Sequence, residues 1–166
     1  MRLLLIIVVT ALTGCAVTGP VYVYVDSVAS PEATELRTYH LVSGRRGITN
    51  SDPIYRELSG HAHQALQKAG FSRAETVDGA EVIVALTYGM NRERDGSLTH
   101  SSAFVKLTGF DWVAVKTTGV RNAIWTTQAY RYGTTGGLDQ TVPKLLRYAA
   151  PHIATTTGDL VEIQIN

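Results

Sequence analysis

In "VYVYVDSVA", Val21, Val23 and Val25 alternate with Tyr22 and Tyr24. That two-residue period belongs to a strand with one apolar face. A second strand is expected within "ELRTYHLVS", beyond the break at Pro31. The period then changes. In "IYRELSGHAHQALQKAGF", Ile54, Leu58, Ala62, Ala65, Leu66 and Ala69 recur at helical spacing, so the stretch predicts an amphipathic helix. Asp52 is placed to cap its start and Pro53 suits the first helical position. Gly70 stands where a left-handed C-cap belongs, with Phe71 able to fold back on the last turn. A weak strand in "FSRAET" and a turn at "VDG" lead to "AEVIVALTYG". There Val82, Ile83, Val84, Ala85 and Leu86 are apolar on both parities, as in a central strand covered on both faces.

"MNRERDGSLTHS" follows without periodicity and reads as an exposed loop. Two runs rich in β-branched and aromatic residues, "SAFVKLTGFDWVAVKTT" and "AIWTTQAYRYG", predict an antiparallel hairpin joined around Gly119 and carrying Trp112 and Trp125. "TTGG" breaks the chain before a second helix, whose apolar stripe is Leu138, Val142, Leu145, Leu146 and Ala149. Pro143 fits such a helix only in or near its first turn. "PHIATTTGD" ends it and "LVEIQIN" closes the chain as a strand. Strands interrupted by two amphipathic helices predict an α+β fold, a mostly antiparallel sheet with both helices packed on one face, and a single domain over residues 21–166.

The first twenty residues do not fit that pattern. Met1 and Arg2 precede "LLLIIVVTAL", an apolar run of about ten residues, the length of a secretory signal core and half the roughly 20 needed to span a bilayer. Directly behind it stands Cys15, the chain's only cysteine. Leu12, Thr13, Gly14 and Cys15 resemble, position by position, the lipobox of bacterial lipoproteins. The resemblance implies removal of residues 1–14 as a signal peptide, lipidation of Cys15, and a short tether over 15–20. Two or more acyl chains, at about 0.8 kcal/mol per buried CH₂, hold firmly where one is marginal. Ala16 follows the cysteine, where aspartate typically retains such proteins in the inner membrane, so by the same resemblance Ala16 implies the periplasmic face of the outer membrane in a cell with two membranes.

Composition narrows the remainder. Hydrophobic residues at 45% and charged residues at 17% describe a globular chain. Its 15 Lys and Arg face 14 Asp and Glu, and Arg2 leaves with the signal, so the mature charge is near zero and no basic face for nucleic acid is expected. With one cysteine no internal disulfide is possible. Packing must hold the fold.

The element order is similar to small bacterial envelope lipoproteins classed as domain of unknown function 4136. The likeness is carried by "SDPIYRELSGHAHQALQKAGF" with "AEVIVALTYG", by "IWTTQAYRYG", and by "VPKLLRYAAPHIATTTGDLVEIQI". It implies a small envelope domain and brings no catalytic residues.

Residue chemistry adds little. His61 and His63 form an H-x-H, but residues two apart on a helix point about 200° apart, so solvent-facing histidines are expected rather than a metal site. His100, Ser101 and Ser102 with Asp95 hint at a nucleophile set without a G-x-S-x-G elbow. "GRRG", with Arg45 and Arg46, offers a guanidinium pair or a solvated turn. "TTGG" lacks the lysine of a phosphate loop. Trp112 and Trp125 read as sheet-holding aromatics rather than a sugar platform. The chain is therefore expected to be a lipid-anchored, non-catalytic envelope protein without cofactor or metal, held to the membrane through Cys15. It would bind or scaffold an envelope protein partner, with Arg92, Arg94, Arg45 and Arg46 as candidate contacts, since functional residues concentrate on polar loops. The alternatives are an envelope-acting hydrolase using residues 95–102, and a small-ligand carrier with an apolar cavity.

Overall fold

The computed structural model describes residues 20–95, 98–134 and 136–165. Residues 1–14, expected as a signal peptide, lie outside them, as do Cys15, Ala16 and nearly all of the expected tether.

β1 (Val21–Ala29) keeps the expected alternation, with Val23, Val25 and Ser27 buried. A turn of 3-10 helix at Pro31–Thr34 leads to β2 (Thr38–Ser43). α1 (Pro53–Lys68) starts and stops at its sequence signals. Asp52 accepts a hydrogen bond from the Tyr55 N–H at 2.9 Å, and Gly70 takes φ +87°, which a side chain would strain. Phe71 then turns back into the core. Of "FSRAET" only Ser72–Arg73 pairs, as β3.

β4 (Val82–Asp95) and β5 (Leu98–Asp111) form one long hairpin. The stretch expected as an exposed loop is therefore mostly strand. Its backbone continues the ladder through Arg92–Ser101 and Asp95–Leu98 although no apolar alternation marks it. A second correction follows at Asp111. The chain leaves the sheet as α2 (Trp112–Thr118), capped by Asp111 on the Ala114 N–H at 2.9 Å and ended by Gly119 at φ +74°. Trp112 thus opens a helix and is not a strand partner of Trp125. β6 (Ala123–Tyr132) does pair antiparallel with β5, and carries Trp125.

α3 (Leu138–Ala149) begins a turn earlier than Pro143 would suggest, so the proline lies inside it. Its missing N–H and its ring remove one intrahelical hydrogen bond there. β7 (Val161–Ile165) closes the sheet in the order β3-β2-β4-β5-β6-β1-β7. β2 runs parallel to β3 and β4, and every other pairing is antiparallel.

α1 and α3 cover one face, as expected. Their Leu58, Leu66, Val142, Leu145 and Leu146 meet Val25, Val84, Leu86, Val105, Leu107 and Ala129 of the sheet, all nearly inaccessible. Each such aliphatic side chain contributes roughly 1.5–3 kcal/mol on burial. The opposite face is largely open. Among the described residues only α2 lies over part of it, beside Ile83, Ala85 and Phe110, which is why these central-strand residues are half-buried and not enclosed.

Candidate functional site

Antiparallel register sets which chemistry gathers at which end of the sheet. β6 ends where Tyr132 pairs with Ser102. β2 ends where Ser43 pairs with Leu86, a link extended by the Gly44 N–H on the Leu86 carbonyl at 2.8 Å. β4 and β5 continue past both neighbours through four further pairs, Arg92–Ser101 to Asp95–Leu98. At about 3.4 Å per residue this two-stranded arm stands roughly 14 Å beyond the sheet. Arg92 and Arg94 are on the arm, in register with Ser101 and Thr99.

The loop after β2 turns up at the same end. Arg45 lies along β4 where β2 has stopped: a guanidinium N–H donates to the Tyr88 carbonyl at 3.4 Å, and the guanidinium sits 5.5 Å from the Tyr88 ring centroid. Burial raises the Tyr88 phenol above its ordinary pKa, with Asp52 adding to the shift and Arg45 opposing it. Arg45, Arg46 and Arg92 are exposed. The arginines singled out from two separate loops thus belong to one end of the molecule.

On the open face that end carries a cluster of tyrosines, visible in the sequence only as the alternations Tyr22-x-Tyr24 and Tyr130-x-Tyr132. Tyr24 stacks on Tyr130 with centroids 5.3 Å apart and planes 19° off parallel. Tyr132 stands edge-on to Tyr24 at 5.9 Å and to Tyr130 at 5.6 Å, and Tyr22 lies 6.4 Å from Tyr24. Such geometries favour ring quadrupoles. Burial, then Tyr132, Tyr24, Asp26 and Glu162, push the Tyr130 phenol upward in pKa, so it stays a neutral donor. Beside the cluster is a shallow concavity of about 560 Å³, with Phe104, Lys106, Gln128, Asn91 and Ser102 on its walls.

The other sequence candidates are dispersed. Ser101 donates its hydroxyl to the Thr134 carbonyl at 2.6 Å, tying β5 to the turn before α3. Asp95 pairs with Leu98 and His100 with Glu93, so the ladder places Asp95 three residues along the arm from the partner of Ser101. His63 is not solvent-facing as expected. Its Nδ1 is 2.8 Å from the Tyr39 hydroxyl, and its pKa is lowered by burial and by the nearness of Arg73 and His40. His61 faces a different cleft, between α1 and α3. Among the described residues no group of three His, Cys, Asp or Glu is disposed to hold a metal, and no helix is long and apolar enough to cross a membrane. An apolar groove of about 420 Å³ under α2, between Ile83, Ala85, Phe110 and Val115, went unseen in the sequence because α2 did. The Trp112 indole N–H is buried without a partner among the described residues.

No protein-family model matches the chain, and no curated protein does, so the resemblance to domain of unknown function 4136 gains no family assignment. One solved structure aligned over most of this chain shares the fold. A PDZ domain protein from Parabacteroides distasonis aligns with a TM-score of 0.58 at 8% identity, over 86% of this chain and 39% of that one. The chain therefore spans well under half of that protein's length. The PelC dodecamer from Paraburkholderia phytofirmans aligns at 0.49 with 13% identity, over 81% of this chain and 99% of that chain. A minor lipoprotein from Acinetobacter baumannii gives 0.36 with 16% identity, over 70% and 84%. At 8% identity the first of these likenesses concerns the fold alone.

Proposed function

We propose that this is a lipid-anchored bacterial envelope protein that acts by binding another envelope component and not by catalysis. Its anchor is Cys15, supported by "LTGC" directly behind the apolar run. Its partner contact is the β4–β5 arm with the Arg45–Arg46 loop beside it. The observation that carries the binding reading is the overhang: four ladder pairs extend past the last pairing of both neighbouring strands. Strand edges that run free offer backbone N–H and C=O groups to an added strand, the main-chain route by which sheets recruit partners. Arg92, Arg94, Arg45 and Arg46 supply a polar rim.

A non-catalytic role is supported by Ser101 being engaged with a backbone carbonyl and by the ladder separation of Asp95 from it. Shortening the hairpin so that a two-residue turn joins Arg92 to Ser101, which keeps the Ser101 bonds to Gly133 and Thr134, should leave folding and membrane attachment intact. Partners crosslinked to the wild type in intact membranes should then be lost. Recovery of the same partners by the shortened protein would reject the arm as the contact. Cys15→Ser should abolish fatty-acid incorporation and leave the precursor uncleaved. Fractionation of the wild type tests the membrane, with Ala16 favouring the outer one.

A further inference from the structure

We infer that the end of the sheet where β1 begins is the membrane-facing end, with the tyrosine cluster seated at the headgroup level of the bilayer. This rests on the lipid anchor at Cys15 and adds to it an orientation and a contact surface. Six residue steps separate Cys15 from Val21, and an extended chain spans at most about 3.6 Å per residue, so the acylated residue lies within roughly 22 Å of the first residue of β1. Val21 pairs with Ile165, which fixes the tether's entry at one end of the strands.

Four of the chain's eight tyrosines meet at that end: Tyr22 and Tyr24 are the second and fourth residues of β1, and Tyr130 and Tyr132 close β6. They lie on the face that α1 and α3 leave uncovered, and Tyr132 is 59% exposed. An apolar ring with a hydroxyl tip is the side chain that membrane–water interfaces concentrate. The other end of the same face differs. There Phe110 lies in the groove under α2, and the exposed side chains are the aliphatic Val28, Val113 and Val120, at 61%, 52% and 53%, none with a phenol tip. A tether this short also holds the cluster at high effective concentration against the bilayer, so the contact needs little affinity of its own.

Charge is not the main attraction. Arg45, Arg46, Arg92 and Arg94 share this end, yet Glu93 and Asp95 alternate with the arm arginines, and Asp26 and Glu162 border Tyr130. The contact is therefore aromatic, and it should depend little on anionic lipid or salt. The arm leaves the sheet at the same end and extends past Tyr132. The strands therefore lean with the open face toward the bilayer, which lets the charged arm run among the headgroups and not into hydrocarbon. A partner met at its tip is one seated in or on the membrane.

The test uses the full-length, lipid-modified protein in phosphatidylcholine vesicles containing a nitroxide-headgroup lipid. Single cysteines are introduced as Tyr132→Cys, as Asn91→Cys, which leaves every tyrosine in place, and as Val28→Cys, and each carries a fluorophore. Tyr132 and Val28 are six residues apart in register, roughly 20 Å along the strands, enough to act as a depth ruler. The expected result is quenching by the lipid nitroxide several-fold greater at 132 and 91 than at 28, with the reverse order for aqueous iodide, at low and high salt alike. Equal quenching at all three positions overturns the inference and leaves the tyrosines free for a glycan or a protein. The mass of the N-terminal peptide separates the two levels. An acylated Cys15 with equal quenching sinks the orientation alone, whereas an unacylated Cys15 removes the anchor and the orientation with it.

Discussion

The two faces of the sheet are built from the same strands and obey opposite rules. On the helix-covered face, Val84, Leu86, Val105, Leu107 and Ala129 follow one another with almost no accessible surface. One residue along each strand, the open face shows Ala85, Thr87, Phe104, Lys106 and Gln128, none of them buried. Alternation in a strand assigns neighbours to opposite faces, so a single ladder specifies both a dry core and a wet surface. The difference teaches where the protein has latitude. Changes on the helix side act on stability. Changes on the open side should act on contacts with membrane or partner.

The largest effect should come from the helix side. Leu66 and Leu146, at 0% and 1% exposure, sit between α1, α3 and the sheet. Truncating either to alanine is expected to cost about 2–5 kcal/mol, a large part of a typical total of roughly 5–15. Denaturant unfolding of the purified protein measures it. Gln128→Ala, on the open face, should shift stability by less than about 0.5 kcal/mol. Similar losses at both would end the distinction between the faces.

Two glycines give a finer comparison, because the same added methyl group meets an aromatic ring on each face. A Cβ on Gly109 would run into the indole of Trp125, which is buried at 2% exposure under Phe71 and the helices. Gly109→Ala should therefore cost about 1–3 kcal/mol through overpacking. A Cβ on Gly89 would come within 2.8 Å of the Phe104 ring, but that ring is only partly buried and borders shallow concavities of the open face, which leave it room to shift. Gly89→Ala should be near neutral, since alanine also narrows the unfolded ensemble. Thermal melts of the pair decide it. A costly Gly89→Ala would mean that the open face is more tightly organised than its exposure indicates.

α1 and α2 show how far the sequence could be read. In α1 the stripe from Leu58 to Leu66, the Asp52 cap and Gly70 agree, and the helix falls where they put it. α2 carries the same punctuation, Asp111 at its start and Gly119 at its end, but none of its residues is buried. Its Trp-Val-Ala-Val core has the composition of a strand, and a helix of seven residues offers too little periodicity to contradict that. The arm was missed for the complementary reason. Arg92, Glu93 and Arg94 extend β4 past the core, where no apolar face exists to impose a two-residue pattern. The tyrosine cluster was half legible: each Tyr-x-Tyr alternation could be read, but the pairing of Tyr24 with Tyr130 depends on β1 crossing to sit beside β6. Non-local pairing is what a single sequence conceals.

The smallest predicted effect lies at the edge of the helix side, where α1 meets β2. His63 is held against the Tyr39 hydroxyl at 2.8 Å, partly desolvated, with Arg73 and His40 close enough to disfavour a further positive charge. Its folded pKa is therefore below the unfolded value of about 6.5, and the unfolded chain binds the proton more readily. Stability from this source is complete above about pH 6.5 and declines as pH falls through the folded pKa. Tyr39 moves the other way. Burial pushes its phenol up to about 12, so the unfolded chain gives up that proton first, and stability should also decline above about pH 10. His63→Gln keeps a hydrogen-bonding group beside Tyr39 and removes the acid titration, whereas Tyr39→Phe removes the alkaline one. Denaturant midpoints of wild type and His63→Gln should converge as pH falls from 7.5 to 5, because only the wild type loses the His63 contribution. A difference that stays constant across that range would show that His63 titrates alike in the folded and unfolded chains.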